Sequence, residues 1–435
     1  MTDFDTAVQR RAARVQCELQ AQDDAWGTSG WTRRRFLGGL GMVGVAALGS
    51  QLVTTRAAYA ATPTGTERTL IVIFLRGAAD GLHLLVPNSA ALGLDYLRTV
   101  RPDLVPGDAD LVALPNTGGW ALNAALKPLY DDLWASGELA FVPAVSTAGV
   151  SRSHFQAQQY LERGGSDTAS SGWLDRVLPT LGPGTTFRAV SEGDATPMSL
   201  AGTQPSITLT SIDNFVFPGW DEIRPASQAA VLALYRGLGG TLGEDVPTTV
   251  AALDTAAQIR AANTGTADYP GGDFGHALKD LAGILRAEVG LQVATVDVGG
   301  WDTHTDEVNQ LDYQLGQVAA ALQAFLADLG STRRQRVTVA VMTEFGRRVE
   351  MNASAGTDHG HGSVLWLLGG GLARSDVFGK WSQLSDATLD AGDVPGLNNP
   401  FDVFGELVQK RLGAGSLSGV FPGYTPTPIG IATTT

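Results

Sequence analysis

Two stretches decide how this 435-residue chain is read: Val293-Ala294-Thr295-Val296-Asp297-Val298-Gly299-Gly300-Trp301-Asp302-Thr303-His304, and Val337-Thr338-Val339-Ala340-Val341-Met342-Thr343-Glu344-Phe345-Gly346-Arg347. Each begins as a short apolar run rich in β-branched residues and stops abruptly in glycine and polar side chains. Runs of that length and composition read as parallel strands buried on both faces. An amphipathic helical pattern lies between them, so together they form a strand–helix–strand unit. In open α/β sheets, ligands bind in the crevice beyond the carboxyl ends of the strands. Asp302 and His304 follow the first run. Glu344 and Arg347 follow the second, and Asp358, His359 and His361 come after them. Three of the chain's six histidines thus fall where such a crevice is built.

Working outward, Leu70–Leu75 is a further apolar strand, followed by the small-residue turn Arg76-Gly77-Ala78-Ala79-Asp80-Gly81, with Leu82–Pro87 continuing extended. Ala121–Ser136 reads as a helix and Leu139–Val145 as a strand whose Pro143 points to an end or edge position. Ser151-Arg152-Ser153-His154 then leads into a helix over Gln156–Arg163, and Trp173–Leu181 is helical. The short β-like pieces of 187–218 read as an accessory sheet or insertion. Helices are expected over Ala226–Leu238, Thr248–Ala262, Phe274–Glu288 and Phe401–Leu412, with a strand at Val364–Leu368. Alternating strands and helices predict an α/β fold with a mostly parallel central sheet, in one domain from 61 to 435.

Residues 1–60 read differently. Thr32-Arg33-Arg34-Arg35-Phe36-Leu37 resembles a twin-arginine export signal, a Gly- and Ala-diluted apolar run follows to about Val53, and Ala58-Tyr59-Ala60 offers a cleavage site. That run is shorter than the roughly 20 residues of a transmembrane helix. The expectation is therefore a cleaved leader, no stable membrane span afterwards, the twin-arginine translocase as a partner, and a periplasmic or extracellular destination. The chain's formal net charge is −14, and the leader is net basic, so the remainder is more acidic still. Such a surface repels nucleic acid and anionic lipid. The one cysteine, Cys17, lies in the leader, so the rest offers no disulfide, thiolate ligand or cysteine nucleophile.

Asp302-Thr303-His304 places a carboxylate and an imidazole two residues apart in a turn, a pair that suits a divalent transition metal such as zinc. Equally, Asp302 is a plausible cap for the following helix, with His304 at the surface. In Asp358-His359-Gly360-His361-Gly362 the glycines allow a tight turn on which two imidazoles converge. Asp302, His304, Asp358, His359 and His361 make five ligand-type residues in one stretch, with Asp80 a sixth candidate or else a turn residue. Glu344 is a candidate ligand or general base, and Arg347 a candidate partner for an anionic substrate; the plain alternative is an ion pair between them. Ser153, at a strand-to-helix turn, is a candidate nucleophile or an ordinary N-cap. His154 beside it is either part of that site or a structural histidine, and His83 and His276 are left out.

These motifs in this order resemble the domain of unknown function 1501 family. They are the twin-arginine leader, Phe74-Leu75-Arg76-Gly77-Ala78-Ala79-Asp80-Gly81, Ser151-Arg152-Ser153-His154-Phe155, Gly299-Gly300-Trp301-Asp302-Thr303-His304, Thr343-Glu344-Phe345-Gly346-Arg347 and Asp358-His359-Gly360-His361-Gly362. The family looks like a branch of the alkaline phosphatase-like superfamily. That resemblance implies an α/β/α sandwich with one or two metal ions at the strand ends. Asp80 would match the metal-binding Asp after the first strand, Ser153 or Ser151 the nucleophile, and His359 or His361 the last histidine ligand. Where the superfamily has Asp-His-Gly this chain has Glu344-Phe345-Gly346, so one imidazole is missing.

The function expected is an exported metal-dependent hydrolase of phosphate or sulfate esters, acting on a small-molecule or glycan ester. The alternatives are a non-enzymatic envelope protein with a structural metal or an anionic-glycan site, and a redox metalloprotein. The export reading has its own test. Replacing Arg33 and Arg34 together by lysine should leave the precursor in the cytoplasm on fractionation, and normal export of that variant would rule the route out.

Overall fold

Every residue of β1 (Thr69–Leu75) is buried. Its side chains alternate between two cores: Leu70, Val72 and Phe74 pack on one face with Ala140, Val142, Val293, Ala340, Met342, Leu365 and Leu367, and Ile71, Ile73 and Leu75 are buried on the other. A strand apolar at every position is stable only between two covering layers. The computed structural model describes residues 67–147, 151–217, 222–235, 237 and 241–434; the leader 1–60 and its export motif lie outside them. The chain divides into two compact units, one of residues 53–216 and 230–435, the other of 1–52 and 217–229. Both sheets belong to the first. Among the described residues, no helix is long and apolar enough to cross a membrane.

The main sheet has eight strands in the order β11-β5-β10-β9-β1-β8-β6-β7. Their ranges are β5 Leu139–Val145, β6 Ala189–Glu192, β7 Ile207–Leu209, β8 Val293–Val298, β9 Val337–Thr343, β10 Ser363–Gly369 and β11 Asp376–Val377. All pairings are parallel except those of β10, which runs antiparallel to β5 and β9. The fold is therefore α/β with a mostly parallel central sheet. In register, Leu75 stands beside Val298 on one side and Thr343 on the other, so β1, β8 and β9 end level. Because β10 is reversed, its first residue lies at that same edge, with Ser363 opposite Val145. The whole β9–β10 connection, residues 344–362, thus begins and ends at the carboxyl edge.

Helices cover both faces. Pro400–Lys410 starts with Asn399 as its cap, whose side chain accepts from the Phe401 N–H, and Pro400 at the first position. Its Phe401, Phe404, Leu407 and Val408 join the first core, with Trp173 4.9 Å from Phe404 ring to ring. Asp273–Arg286 and Glu307–Arg334 pack against each other and bury leucine faces. Asp306, left-handed at φ 46°, is the cap residue of the second, so Asp302 is not.

Three expectations change. Of Leu82–Pro87, read as extended, the first three residues belong to the short helix Gly81–Leu84 and only Leu85–Pro87 is strand. The segment 187–218, read as an accessory sheet or insertion, supplies β6 and β7 to the main sheet. Residues 121–136 do not form one helix. Trp120–Asn123 is the middle strand β4 of a small antiparallel sheet with β2 (Leu85–Pro87) and β3 (Leu111–Ala113), and only Lys127–Leu133 is α-helical. Pairing on both sides outweighs the helical pattern of Trp120–Asn123, and Pro128 fits the start of the shortened helix.

A buried polar cluster ties this lobe to the sheet. Asp80 lies at the start of a one-turn helix, accepting from the Leu82 N–H, and its other oxygen meets Arg101 Nη1 at 2.5 Å, with both side chains 1% exposed. Burial pushes the Glu307 carboxyl beside it up to about 8, helped by the Asp80 charge. Glu307 is thus protonated at neutral pH, whereas an unfolded glutamate is ionised. A raised acid costs stability as pH climbs from the unfolded pKa to the folded one, because the folded state then holds the extra proton. Glu307→Gln, which keeps a donor but does not titrate, should match the parent at pH 4–5 and exceed it by up to about 2 kcal/mol at pH 8 in urea unfolding. A difference that is independent of pH would refute the raised Glu307 pKa.

Candidate metal centre

The loops after β1, β8 and β9 are held together by one side chain. Arg347 is fully buried and uses all of its donor nitrogens: Nε to Ala78 O at 2.8 Å, Nη1 to Thr357 O at 2.8 Å, and Nη2 to Gly77 O, Trp301 O and Asp302 Oδ1 at 2.7, 3.1 and 2.6 Å. Arg347 is therefore not free to meet an anionic substrate, and the alternative, a Glu344–Arg347 ion pair, is not formed either. Burial alone would raise the Asp302 carboxyl. The Arg347 hydrogen bond and charge work against it and hold Asp302 below its ordinary value.

The β9–β10 loop doubles back on itself. Gly346 N–H donates to His361 O, Gly360 N–H to Gly346 O and Arg348 N–H to Asp358 O. Gly360 lies so close to the opposing strand that a Cβ would stand 2.4 Å from the Arg347 carbonyl carbon. Glycine is required there by close approach. That crossing lifts His359 to the carboxyl edge.

Three imidazoles and one carboxylate meet at this edge. His154 Nε2 is 3.1 Å from His359 Nε2 and 3.5 Å from Asp302 Oδ2, and His359 Nε2 is 3.1 Å from Asp302 Oδ1. On the far side, His304 Nε2 lies 3.1 Å from His359 Nε2 and 3.0 Å from Asp302 Oδ1. The other ring nitrogens are each held by an acceptor: His154 Nδ1 by Glu344 Oε1 at 2.8 Å, His304 Nδ1 by Asp358 Oδ1 at 3.1 Å, and His359 Nδ1 by Arg152 O at 2.9 Å. Carbonyl and carboxylate oxygens accept, so each Nδ1 carries a proton, and in the neutral ring each Nε2 then turns a lone pair inward.

That donor set fits a cation. Lone pairs about 3 Å apart repel unless a positive charge stands between them. A tetrahedral ion with ligands at about 2.0–2.1 Å sets them roughly 3.3 Å apart. The ligand atoms of His154, Asp302 and His359 all lie within 4.8 Å of one another. Metal-binding histidines ordinarily give their second N–H to a carboxylate or carbonyl, as all three rings do here. Both triangles share His359 Nε2, which has one lone pair, so this cluster provides for one ion. Nitrogen and oxygen donors without sulfur suit zinc or another first-row divalent ion.

Of the candidate ligands, Asp302, His304 and His359 come together. Asp358 backs His304 instead of joining the triangle. Asp80 is committed to Arg101, and His361 turns away, its Nε2 3.5 Å from Thr147 O. Glu344 is buried and saturated. Burial would raise it, but hydrogen bonds including those from Gln158 and His154 keep its carboxyl below the usual range. It orients His154 and is neither ligand nor free base. His154, which the sequence left between two readings, is a central member. Its signal was its place at the start of a helix, now seen as His154–Glu162. Ser153 precedes it, exposed, and its side chain caps no N–H of that helix. His83 is buried against Asp312 and Asn123, and His276 is exposed on a helix.

The model of the family described as Protein of unknown function (DUF1501) matches residues 141–399. No curated protein matches the chain. Among matching solved structures is a 2-O GAG sulfatase, 11% identical, at a TM-score of 0.30 over 82% of this chain and 73% of that one; so low a score carries no argument about the site.

The geometry separates ligands from bystanders. His154→Ala and His359→Ala should each abolish stoichiometric zinc binding in plasma emission analysis, while His361→Ala and Asp80→Asn should not. Arg347→Lys keeps the charge but loses the fork, and should weaken zinc by about 10–100-fold, the usual cost of disturbing an outer partner. Full zinc in His359→Ala would refute the assignment.

Proposed function

Starting from the fact that the chain belongs to the domain of unknown function 1501 family, we propose that it is an exported metal-dependent hydrolase of phosphate or sulfate esters. The family carries no activity in its description, so the reading stands on the site. The observation that carries it is the half-open triangle of His154, Asp302 and His359. Structural metal sites are closed by four protein ligands, whereas catalytic ones leave a position for substrate. Here the Asp302 side chain is 47% exposed and His304 40%, so the candidate centre faces solvent.

A bound divalent ion would polarise the ester oxygen and lower the pKa of an attacking hydroxyl or water. The chain's own residues do the rest. Glu344, Asp358 and the Arg152 carbonyl hold the three rings in one tautomer. Arg347 fixes Asp302 against them and keeps it ionised. Ser153 stands at the N-terminus of the His154–Glu162 helix, where backbone N–H groups favour negative charge. In this reading its Oγ attacks phosphorus or sulfur, the bond from that atom to the alcohol oxygen breaks, the alcohol departs with a proton, and water later releases the serine ester.

Purified protein supplied with zinc should hydrolyse an aryl phosphate or aryl sulfate, and chelator should abolish the activity. Ser153→Ala should then lower turnover at least about 100-fold, as expected for loss of a nucleophile. Its zinc content should be unchanged, and its stability should move by no more than about 0.5 kcal/mol, as for an exposed side chain without structural partners. Turnover that survives this substitution would move the attack to water. Zinc binding without turnover across both ester classes would overturn the hydrolase reading in favour of a structural or binding role.

A further inference from the structure

One buried carboxylate near the candidate centre takes no part in the function above. Asp393 is 1% exposed, and its main chain is built onto the loop that carries His359. Arg348 and Asp393 form an antiparallel bridge, Val349 N–H donates to Gly392 O at 3.2 Å, and Gly362 N–H donates to Val394 O at 2.8 Å. Residues 392–394 are thus tied to the 344–362 loop at several points. The Asp393 side chain makes a contact elsewhere: its Oδ2 accepts from Arg152 Nη2, in the segment that leads to His154. Arg348 Nη1 stands 3.8 Å from the other oxygen, Oδ1. Burial pushes the Asp393 carboxyl above its ordinary value, and the Arg152 and Arg348 charges work against it.

Arg152 is held twice. Its guanidinium meets Asp393, and its carbonyl oxygen lies 2.9 Å from His359 Nδ1. It also stands two residues before His154, whose Nε2 is 3.1 Å from His359 Nε2. One hydrogen bond to a main-chain oxygen leaves that peptide free to turn. A second contact through the side chain of the same residue removes the turn, so the carbonyl stays aimed at the ring.

The plain alternative is a surface ion pair, which contributes little. Arg152 fits that description, with its side chain 49% exposed, but Asp393 does not, at 1%. A buried charge that loses its partner is left uncompensated, so Asp393 holds Arg152 closely. Arg152 and Arg348 come from the two segments that supply His154 and His359, and the carboxylate faces both. We infer that Asp393 is a positioning residue for the candidate metal centre: it fixes Arg152 so that the Arg152 carbonyl sets the His359 ring, and it thereby holds the His154 segment against the His359 loop. The inference rests on the metal reading of His154, Asp302 and His359. Asp393 acts on the centre through Arg152 and is not itself a ligand.

Two variants of the full-length protein remove the contact from opposite ends. Asp393→Asn keeps the shape and drops the charge. Arg152→Ala keeps the carbonyl and removes an exposed guanidinium, so it tests the contact even where the buried substitution lowers stability. In the metal-free protein at about pH 8, where an ordinary imidazole is neutral, nitrogen-15 NMR reads the tautomer of each ring, with His359 assigned through His359→Gln. The parent should hold His359 protonated at Nδ1, and both variants should give a mixture of the two tautomers. Zinc affinity, measured by chelator competition, should fall about 10–100-fold in each, the usual cost of disturbing an outer partner. The double variant should be no weaker than the weaker single one, because residues that act through one shared contact do not add. A parent-like tautomer and affinity in Arg152→Ala would overturn the inference, and so would losses that add in the double variant. A parent that takes up no zinc would sink the metal reading, with the tautomer comparison still deciding whether Asp393 positions His359.

Discussion

The candidate centre depends on the buried guanidinium of Arg347. Loops leaving three different strands have no reason to hold a common geometry, because each is free to move with its own turn. Arg347 removes that freedom. It takes carbonyl oxygens from the loop after β1, from Trp301 after β8 and from Thr357 in its own loop, and it grips Asp302. Its charge would be costly in so dry a place. It is tolerated because every donor is met and one partner is an ion. The same contact keeps Asp302 ionised among three imidazoles.

Around this fixed point the rings are set by acceptors of different kinds: a buried carboxylate, an exposed carboxylate and a main-chain carbonyl. Glu344 is the most constrained of them, with the Gly77 N–H, the Gln158 amide and His154 all on one oxygen. The roles of Glu344 and Arg347 thus differ from what their position in the sequence implied. Both stand at a strand end, where chemistry is expected, and both act on neighbours instead of on a ligand. Asp80 makes the same point. It sits beyond the first strand, as a ligand would, but Arg101 lies 2.5 Å away and claims it.

The reversed strand β10 explains the crowding at one edge. In a wholly parallel sheet, the chain leaving β9 would cross back to the opposite edge before the next strand began. Here it turns at the carboxyl edge and stays there, so residues 344–362 are all available to the site. His359 and His361 then part company. Alternation and the turn at Gly360 send one ring to the metal triangle and the other toward the Thr147 carbonyl.

Much of this was legible in the sequence. Apolar β-branched runs at 70–75, 293–298 and 337–342 have a composition and length that dictate buried strands, and burial on both faces requires covering helices. The clustering of Asp302, His304 and His359 after such runs follows from the same logic, since strand ends converge wherever a sheet is parallel. The sequence did not determine which polar residues were already spoken for. A carboxylate is a ligand or an ion-pair partner according to what stands within about 3 Å of it, and that is decided by segments far apart in the chain. Arg101 reaches Asp80 across 21 residues, and His154 reaches Glu344 across 190. Local pattern carries the energy of strands and helices because that energy is local. The parting of His359, at the metal triangle, from His361, turned toward the Thr147 carbonyl, is a tertiary fact, set by the direction of β10 and the packing of loops that only folding brings together.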